Sequence, residues 1–126
     1  MEEWRDIKGY EGLYQVSSIG NVRSTKRAGT QGKYIKPRID NDGYNCVRLS
    51  KNGVMKNHFV HRLVAIAFIE NENAYPCVNH KDENKSNNVV SNLEWCSVAY
   101  NNTYNDIHKR KIITRQRNRR LRLAGE

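Results

Sequence analysis

His80, Asn92 and Asn101 fall at spacings of 12 and 9, within a stretch that runs from Val78 to Asn102 around a short apolar segment ending in Trp95. Hydrolysis of a phosphodiester makes three demands. A water must be deprotonated, charge on the phosphorane must be neutralised, and the leaving 3′-oxygen must be stabilised. A histidine meets the first demand and one metal ion meets the other two. An unperturbed imidazole titrates at about 6.5, so it is a competent base near neutral pH. His80 is the candidate general base. Asn101 and Asn79 carry amide oxygens that suit a hard divalent ion, Mg²⁺, Mn²⁺ or Ca²⁺ with Mg²⁺ first and Mn²⁺ second, rather than zinc. Asn92 lies between them and is better placed to hold a loop through backbone bonds than to touch metal. Asn102 is the substitute for Asn101 if the helix register differs.

These residues need a strand for His80, a return loop and strand for Asn92 to Trp95, and a helix for Asn101. Val78 to His80 and Leu93 to Trp95 read as the strands. Asn84-Lys85-Ser86-Asn87-Asn88 reads as a turn or Ω-type loop, because Asn tolerates left-handed geometry and bonds its own backbone. Ser97 is an N-cap candidate for a helix running to about Lys109. Upstream, Val60 to Ile69 has helical spacing, with Leu63 and Ala67, and Val64 and Phe68, at i,i+4. His61 sits at its start, read as structural or phosphate-facing ahead of catalytic.

The first half is rich in strand and turn signals. Leu13–Ser18 and Asn21–Ser24 read as strands about a Ser18-Ile19-Gly20-Asn21 turn. Lys33–Ile39, Tyr44–Ser50 and Val54–Val60 follow as strands, separated by Asp40-Asn41-Asp42-Gly43 and Lys51-Asn52-Gly53. A twisted antiparallel ribbon with a basic face can enter a DNA groove; an ordinary half-solvated sheet is the alternative.

The formal charge is +9, from 22 basic and 13 acidic residues. Residues 108–126 hold Lys109, Arg110, Lys111, Arg115, Arg117, Arg119, Arg120 and Arg122 against the single acid Glu126. Such density is an electrostatic footprint for a polyanion, and arginine suits phosphate geometry. The nucleic-acid contacts expected are Arg23, Lys26, Arg27, Lys36, Arg38, Arg48, Arg62, Arg115, Arg117, Arg119 and Arg120. Binding through the tail should weaken steeply with salt.

Cys46, Cys77 and Cys96 are odd in number and form no Cys-x-x-Cys, so a zinc knuckle is not expected and buried free thiols are. The opening Met-Glu-Glu-Trp-Arg-Asp lacks a signal-peptide core, and the longest apolar run, Leu63 to Ile69, is too short to span a bilayer. A cytoplasmic location, in a bacterial or phage-infected cell, is the expectation, with no membrane and no obligate protein partner evident.

Val78-Asn79-His80-Lys81-Asp82, then Asn84, Asn87-Asn88, then Asn92-Leu93-Glu94-Trp95, then Asn101 resembles the HNH family of endonucleases. His61-Arg62-Leu63-Val64-Ala65-x-Ala67-Phe68 is similar to the helix that leads into the HNH core in phage and intron-encoded members. Glu3-Trp4-Arg5-Asp6-Ile7-x-Gly9-Tyr10 through Ser17, with Gly20-x-Val22-Arg23-Ser24, is similar to the small module that often precedes the core in homing endonucleases. The resemblance covers residues 2–105. It implies a ββα-metal core, with His80 as general base, Asn92 as the loop-orienting asparagine, Asn101 as a metal ligand, and Asn79 at a position where several members carry Asp. Asp82 is the nearest spare carboxylate and ranks as a loop residue.

The expected architecture is α+β: an antiparallel strand-rich N-terminal DNA-binding module over 1–56, a ββα-metal nuclease core over 57–107, and a basic C-terminal helix or tail over 108–126. The expected function is endonucleolytic hydrolysis of double-stranded DNA, nicking or cleaving, with one divalent ion, in a phage or intron-associated homing-type enzyme. A DNA-binding module with a degenerate, inactive site is the alternative. A basic protein directed at RNA is a further rival, although RNA readers usually stack aromatics on a sheet and the tyrosines here are scattered.

Overall fold

The computed structural model describes residues 2–25 and 32–103. Lys26, Arg27, the part beyond residue 103 of the helix expected after Ser97, and the basic tail with Arg115, Arg117, Arg119 and Arg120 lie outside the described residues. The architecture is α+β with antiparallel sheets. No helix among the described residues is long and apolar enough to cross a membrane.

The first sheet has the order β1 (Trp4–Asp6), β2 (Tyr14–Ser17), β3 (Val22–Ser24). β2 and β3 pair about the expected turn at 18–21, where Gly20 has φ 91°. β1 was not expected as a strand. Its Arg5 explains why it docks: Nη1 donates to the Ala67 carbonyl at 2.7 Å, and the guanidinium lies 4.6 Å from the Phe68 ring centroid. It thereby satisfies a carbonyl that the end of a helix leaves without an intrahelical partner.

The second sheet has the order β4 (Arg38–Ile39), β5 (Asn45–Lys51), β6 (Val54–Phe59). Asn52 and Gly53 have φ of 53° and 77°, the pair of left-handed residues that a two-residue hairpin of matching twist requires. The Lys33–Ile39 strand does not form as one element. Tyr34 makes an isolated bridge to Arg23, and pairing resumes only at Arg38. Pro37 interrupts the run, and proline cannot donate to a ladder. Along β5, buried Val47 and Leu49 alternate with exposed Arg48, the period of two that a half-buried strand imposes.

β6 runs directly into α1 (Val60–Phe68). No side chain caps its start, so packing must hold it, and Val60, Leu63, Val64 and Ala65 are buried. The third unit is the hairpin β7 (Cys77–His80) and β8 (Leu93–Cys96), joined by a long loop and a 3₁₀ turn (Val90–Asn92), and followed by helix α2 over residues 98–103. Ser97 Oγ accepts from the Tyr100 N–H at 3.1 Å, so it caps α2. One buried apolar cluster runs through all three units, including Val16, Val47, Leu49, Val64, Val78 and Leu93. The cysteines are free; Cys96 is buried, while Cys46 and Cys77 are half-buried.

Candidate active site

β7 and β8 pair in register, with Val78 opposite Trp95, Asn79 opposite Glu94 and His80 opposite Leu93. The hairpin is pinned beneath α1 by the Trp95 indole, whose Nε1 donates to the Ile69 carbonyl at 3.0 Å. His80 therefore ends a strand whose other members are packed. α2 leaves β8 at Cys96 and returns Asn101 to the same place. His80, Asn79 and Asn101 line one cavity of about 320 Å³, together with Tyr44, Val78, Glu83 and Lys85. Asn102 is exposed and is not among the lining residues.

The His80 ring is buried. Its Nε2 lies 2.8 Å from Asn88 Oδ1. A carbonyl oxygen only accepts, so the neutral ring carries its proton on Nε2 and keeps its free lone pair on Nδ1. Burial pushes the His80 pKa below the ordinary value, against the opposing effects of the Asn88 bond and the Asp82 charge, with Lys85 adding to the fall. The ring is thus neutral, and able to take a proton, at neutral pH.

Asn92 takes no part in lining the cavity. Its Nδ2 donates to Asp82 Oδ1 at 2.9 Å and to the Asn87 carbonyl at 2.8 Å, and its Oδ1 accepts from the Asp82 N–H at 3.1 Å. One side chain thus closes the loop between β7 and β8 at both ends. Asp82 is exposed and fully used inside that loop. Its other oxygen accepts from Asn87 Nδ2 at 2.8 Å, and these bonds hold its carboxyl below the usual range.

Several contributors were not singled out by sequence reasoning. Asn88 orients the His80 ring, yet in sequence it is one asparagine in a loop full of them. Glu94 accepts a 2.9 Å bond from Asn79 Nδ2, a contact that only the strand register creates. Tyr44 lies 6.1 Å from His80 between ring centroids and carries the Lys85 ammonium 4.6 Å above its face. Gly20 touches the site from the first sheet. A Cβ placed there would stand 2.9 Å from Asn88 Cβ, and the Val90 N–H donates to the Ser18 carbonyl at 2.9 Å.

His61 is the other surprise. It is 7% exposed, its ring centroid stands 4.9 Å from that of His80, and its Nδ1 has no hydrogen-bond partner. Burial first, then the nearby His80 and Arg62 charges, push its pKa down to about 3. A histidine depressed in the folded state contributes stability that is full above the unfolded pKa and is lost as pH falls below it. The window here runs from about 6.5 down toward 3, at about 1.4 kcal/mol per pH unit. Between pH 7 and pH 5 the wild type should lose about 2 kcal/mol more than His61→Phe, read from urea unfolding midpoints. Equal losses in the two proteins would mean that His61 is accessible to protons in the folded state.

The expected nucleic-acid contacts divide. Arg38 and Arg48 share the outer face of the second sheet, since Arg38 pairs with Cys46, two residues before Arg48. Lys36, Arg38 and Arg48 are exposed. Arg23 is half-buried, bonded through Nε and Nη2 to Gln15 Oε1 and stacked 3.9 Å from the Trp4 ring centroid. Arg62 is used within the fold: Nη1 donates to the Pro76 carbonyl at 2.9 Å, beside Trp95.

A strand ending in a buried histidine, a tied loop, a return strand and a helix carrying an amide form the arrangement that the resemblance implies, and the chain is similar to HNH endonucleases. Residues 2–50 match the NUMOD4 motif. The chain is homologous to the DNA endonuclease I-HmuI of Bacillus phage SP01, at 50% identity over 99 residues, covering 79% of this chain and 55% of that one. It is 48% identical over 101 residues to an uncharacterized HNH endonuclease of Acanthamoeba polyphaga mimivirus, covering 80% of this chain and 29% of the relative. The solved structure of the HNH homing endonuclease I-HmuI, a study of its DNA binding and cleavage, superposes with a TM-score of 0.72 at 45% identity, over 85% of this chain and 59% of that one. The chain thus spans about half, or less, of the length of these curated relatives.

Proposed function

We propose that this chain carries the catalytic core of a divalent-metal-dependent HNH endonuclease that hydrolyses phosphodiester bonds of double-stranded DNA, in a phage or intron-associated homing-type enzyme. The observation that carries this reading is the shared cavity, in which an oriented, neutral His80 faces the same space as the amides of Asn79 and Asn101.

His80 Nδ1 takes the proton from the attacking water, while Asn88 holds Nε2–H and fixes the ring's direction. Asn92 keeps the loop, and so Asn88, in place. Asn79 and Asn101 offer oxygen donors that fit a hard ion, Mg²⁺ or Mn²⁺, with phosphate oxygens and water completing its shell. Such an ion, when bound, neutralises the phosphorane charge and the leaving oxygen. Arg38 and Arg48 give the outer face of the second sheet a positive strip for the DNA backbone, and the exposed Lys36 lies two residues before β4. Lys26, Arg27 and the tail arginines extend this proposal beyond the described residues. The division at 56 and 107 into binding module and nuclease core is part of the same proposal.

The test is relaxation of supercoiled plasmid carrying the target, with Mg²⁺ and with EDTA. Metal-dependent nicking is expected. DNA binding without cleavage at any Mg²⁺ or Mn²⁺ concentration would favour the second reading, a binding module with a degenerate site. One feature supports that alternative: Asn79 stands where several members of the family carry Asp, so the ligand pair offered to a metal is two neutral amides, Asn79 and Asn101.

Gly20→Ala offers a separate check on the role of Asn88. The left-handed φ and the clash with Asn88 should cost about 1–3 kcal/mol, and the displaced Asn88 should slow cleavage. Gly12→Ala is the control, since its φ is 78° but no atom lies within 4 Å of the added Cβ. Single-turnover rates, measured where both variants are folded, should fall for Gly20→Ala alone. Equal rates in the two variants would remove Asn88 from the site.

A further inference from the structure

We infer that Glu94 is a positioning residue for the metal: its carboxylate fixes the Asn79 amide with Oδ1 as the donor and supplies the negative charge that the amides lack. This inference rests on the metal site proposed above. Asn79 and Glu94 are directly opposed on β7 and β8, so their side chains share one face of the hairpin. Asn79 is 3% exposed, and its Nδ2 lies 2.9 Å from Glu94 Oε1.

A carboxylate has no proton to give, so only the NH₂ end of the amide can face it. The orientation of Asn79 is therefore set by chemistry, and Oδ1 is left as the end that can donate lone pairs. An amide bound to a carboxylate through its N–H is also polarised toward a more negative oxygen. Charge is the second part. Asn79 and Asn101 are neutral, and Glu83 is the single carboxylate among the lining residues of the cavity. A hard cation held by neutral amides gains from an anion one hydrogen bond behind its ligand.

The test is Mn²⁺ binding to the full chain, followed by electron paramagnetic resonance of the free ion, with no DNA and no turnover. Glu94→Gln keeps the reach and a hydrogen bond but removes the charge; the Mn²⁺ Kd should rise about tenfold or more. Asn79→Asp combined with Glu94→Gln moves the charge from position 94 to position 79, and the amide introduced at position 94 can donate to the new carboxylate. That double variant should bind Mn²⁺ within about threefold of wild type. A Glu94 that served only strand pairing would lower the melting temperature without moving Kd, and the double variant would not restore it. Asn101→Ala separates the two levels. If it weakens Mn²⁺ binding while Glu94→Gln does not, the role of Glu94 is overturned and the site stands. If Asn101→Ala leaves Mn²⁺ binding unchanged, the site itself is misplaced and the inference falls with it.

Discussion

His80→Ala is expected to lower single-turnover cleavage by about 10²–10⁴-fold, the range a positioned general base contributes, while DNA affinity stays within a few-fold. The expectation rests on position. The ring sits in the cavity shared with Asn79 and Asn101, and the exposed Arg38 and Arg48, proposed to meet the DNA backbone, are not among its lining residues. Removing it also leaves Asn88 Oδ1 without the partner it has at 2.8 Å, so stability should be measured beside rate. His80→Gln keeps a polar side chain there but lacks a basic nitrogen, and it should be as slow as His80→Ala. Cleavage at the wild-type rate by either variant would show that another group deprotonates the water.

Asn92→Ala is expected to have the largest effect on the loop. It removes two donated bonds and one accepted bond at once, to Asp82 Oδ1, the Asn87 carbonyl and the Asp82 N–H. With a net of roughly 1 kcal/mol for a neutral bond and more for one to a carboxylate, the loss should be about 2–4 kcal/mol. Asn92 is buried, so water cannot fully replace what is lost. Cleavage should fall as well, because the loop carries Asn88. Urea unfolding and single-turnover rates on the same preparation check both. A stability within about 0.5 kcal/mol of wild type, the scatter of an unremarkable surface substitution, would mean the loop is held by its backbone bonds, such as that from the Lys81 N–H to the Asn92 carbonyl at 2.8 Å.

The two halves of the molecule meet at these residues. The turn of the first sheet approaches Asn88 so closely that only glycine fits at position 20, and Asn88 in turn holds the His80 ring. Damage to the first sheet should therefore slow cleavage as well as lower stability.

Much of this was legible in the sequence because it is local. Asn52-Gly53 encodes its hairpin through the φ values those two residues tolerate. The spacing of Leu63, Val64 and Phe68 encodes a helix, and Ser97 encodes the start of another. His80, Asn92 and Asn101 stood out because chemistry restricts which side chains can serve as base, loop tie and oxygen donor. Where local reading failed, a distant partner decided. β1 is a strand because Arg5 has Ala67 and Phe68 to dock on, and the run from Lys33 to Ile39 breaks where Pro37 cannot donate.

The sequence by itself determined most of the element types, the basic character and the candidate base and ligands, since these depend on intrinsic dihedral preference, periodicity and side-chain chemistry. Only the tertiary structure decided that Asn88 orients His80, that Glu94 faces Asn79, that His61 is buried against His80, and that Gly20 presses on Asn88. Each of those is a contact between residues that are not neighbours in the chain, fixed by strand register and close packing, and none is written in any one segment.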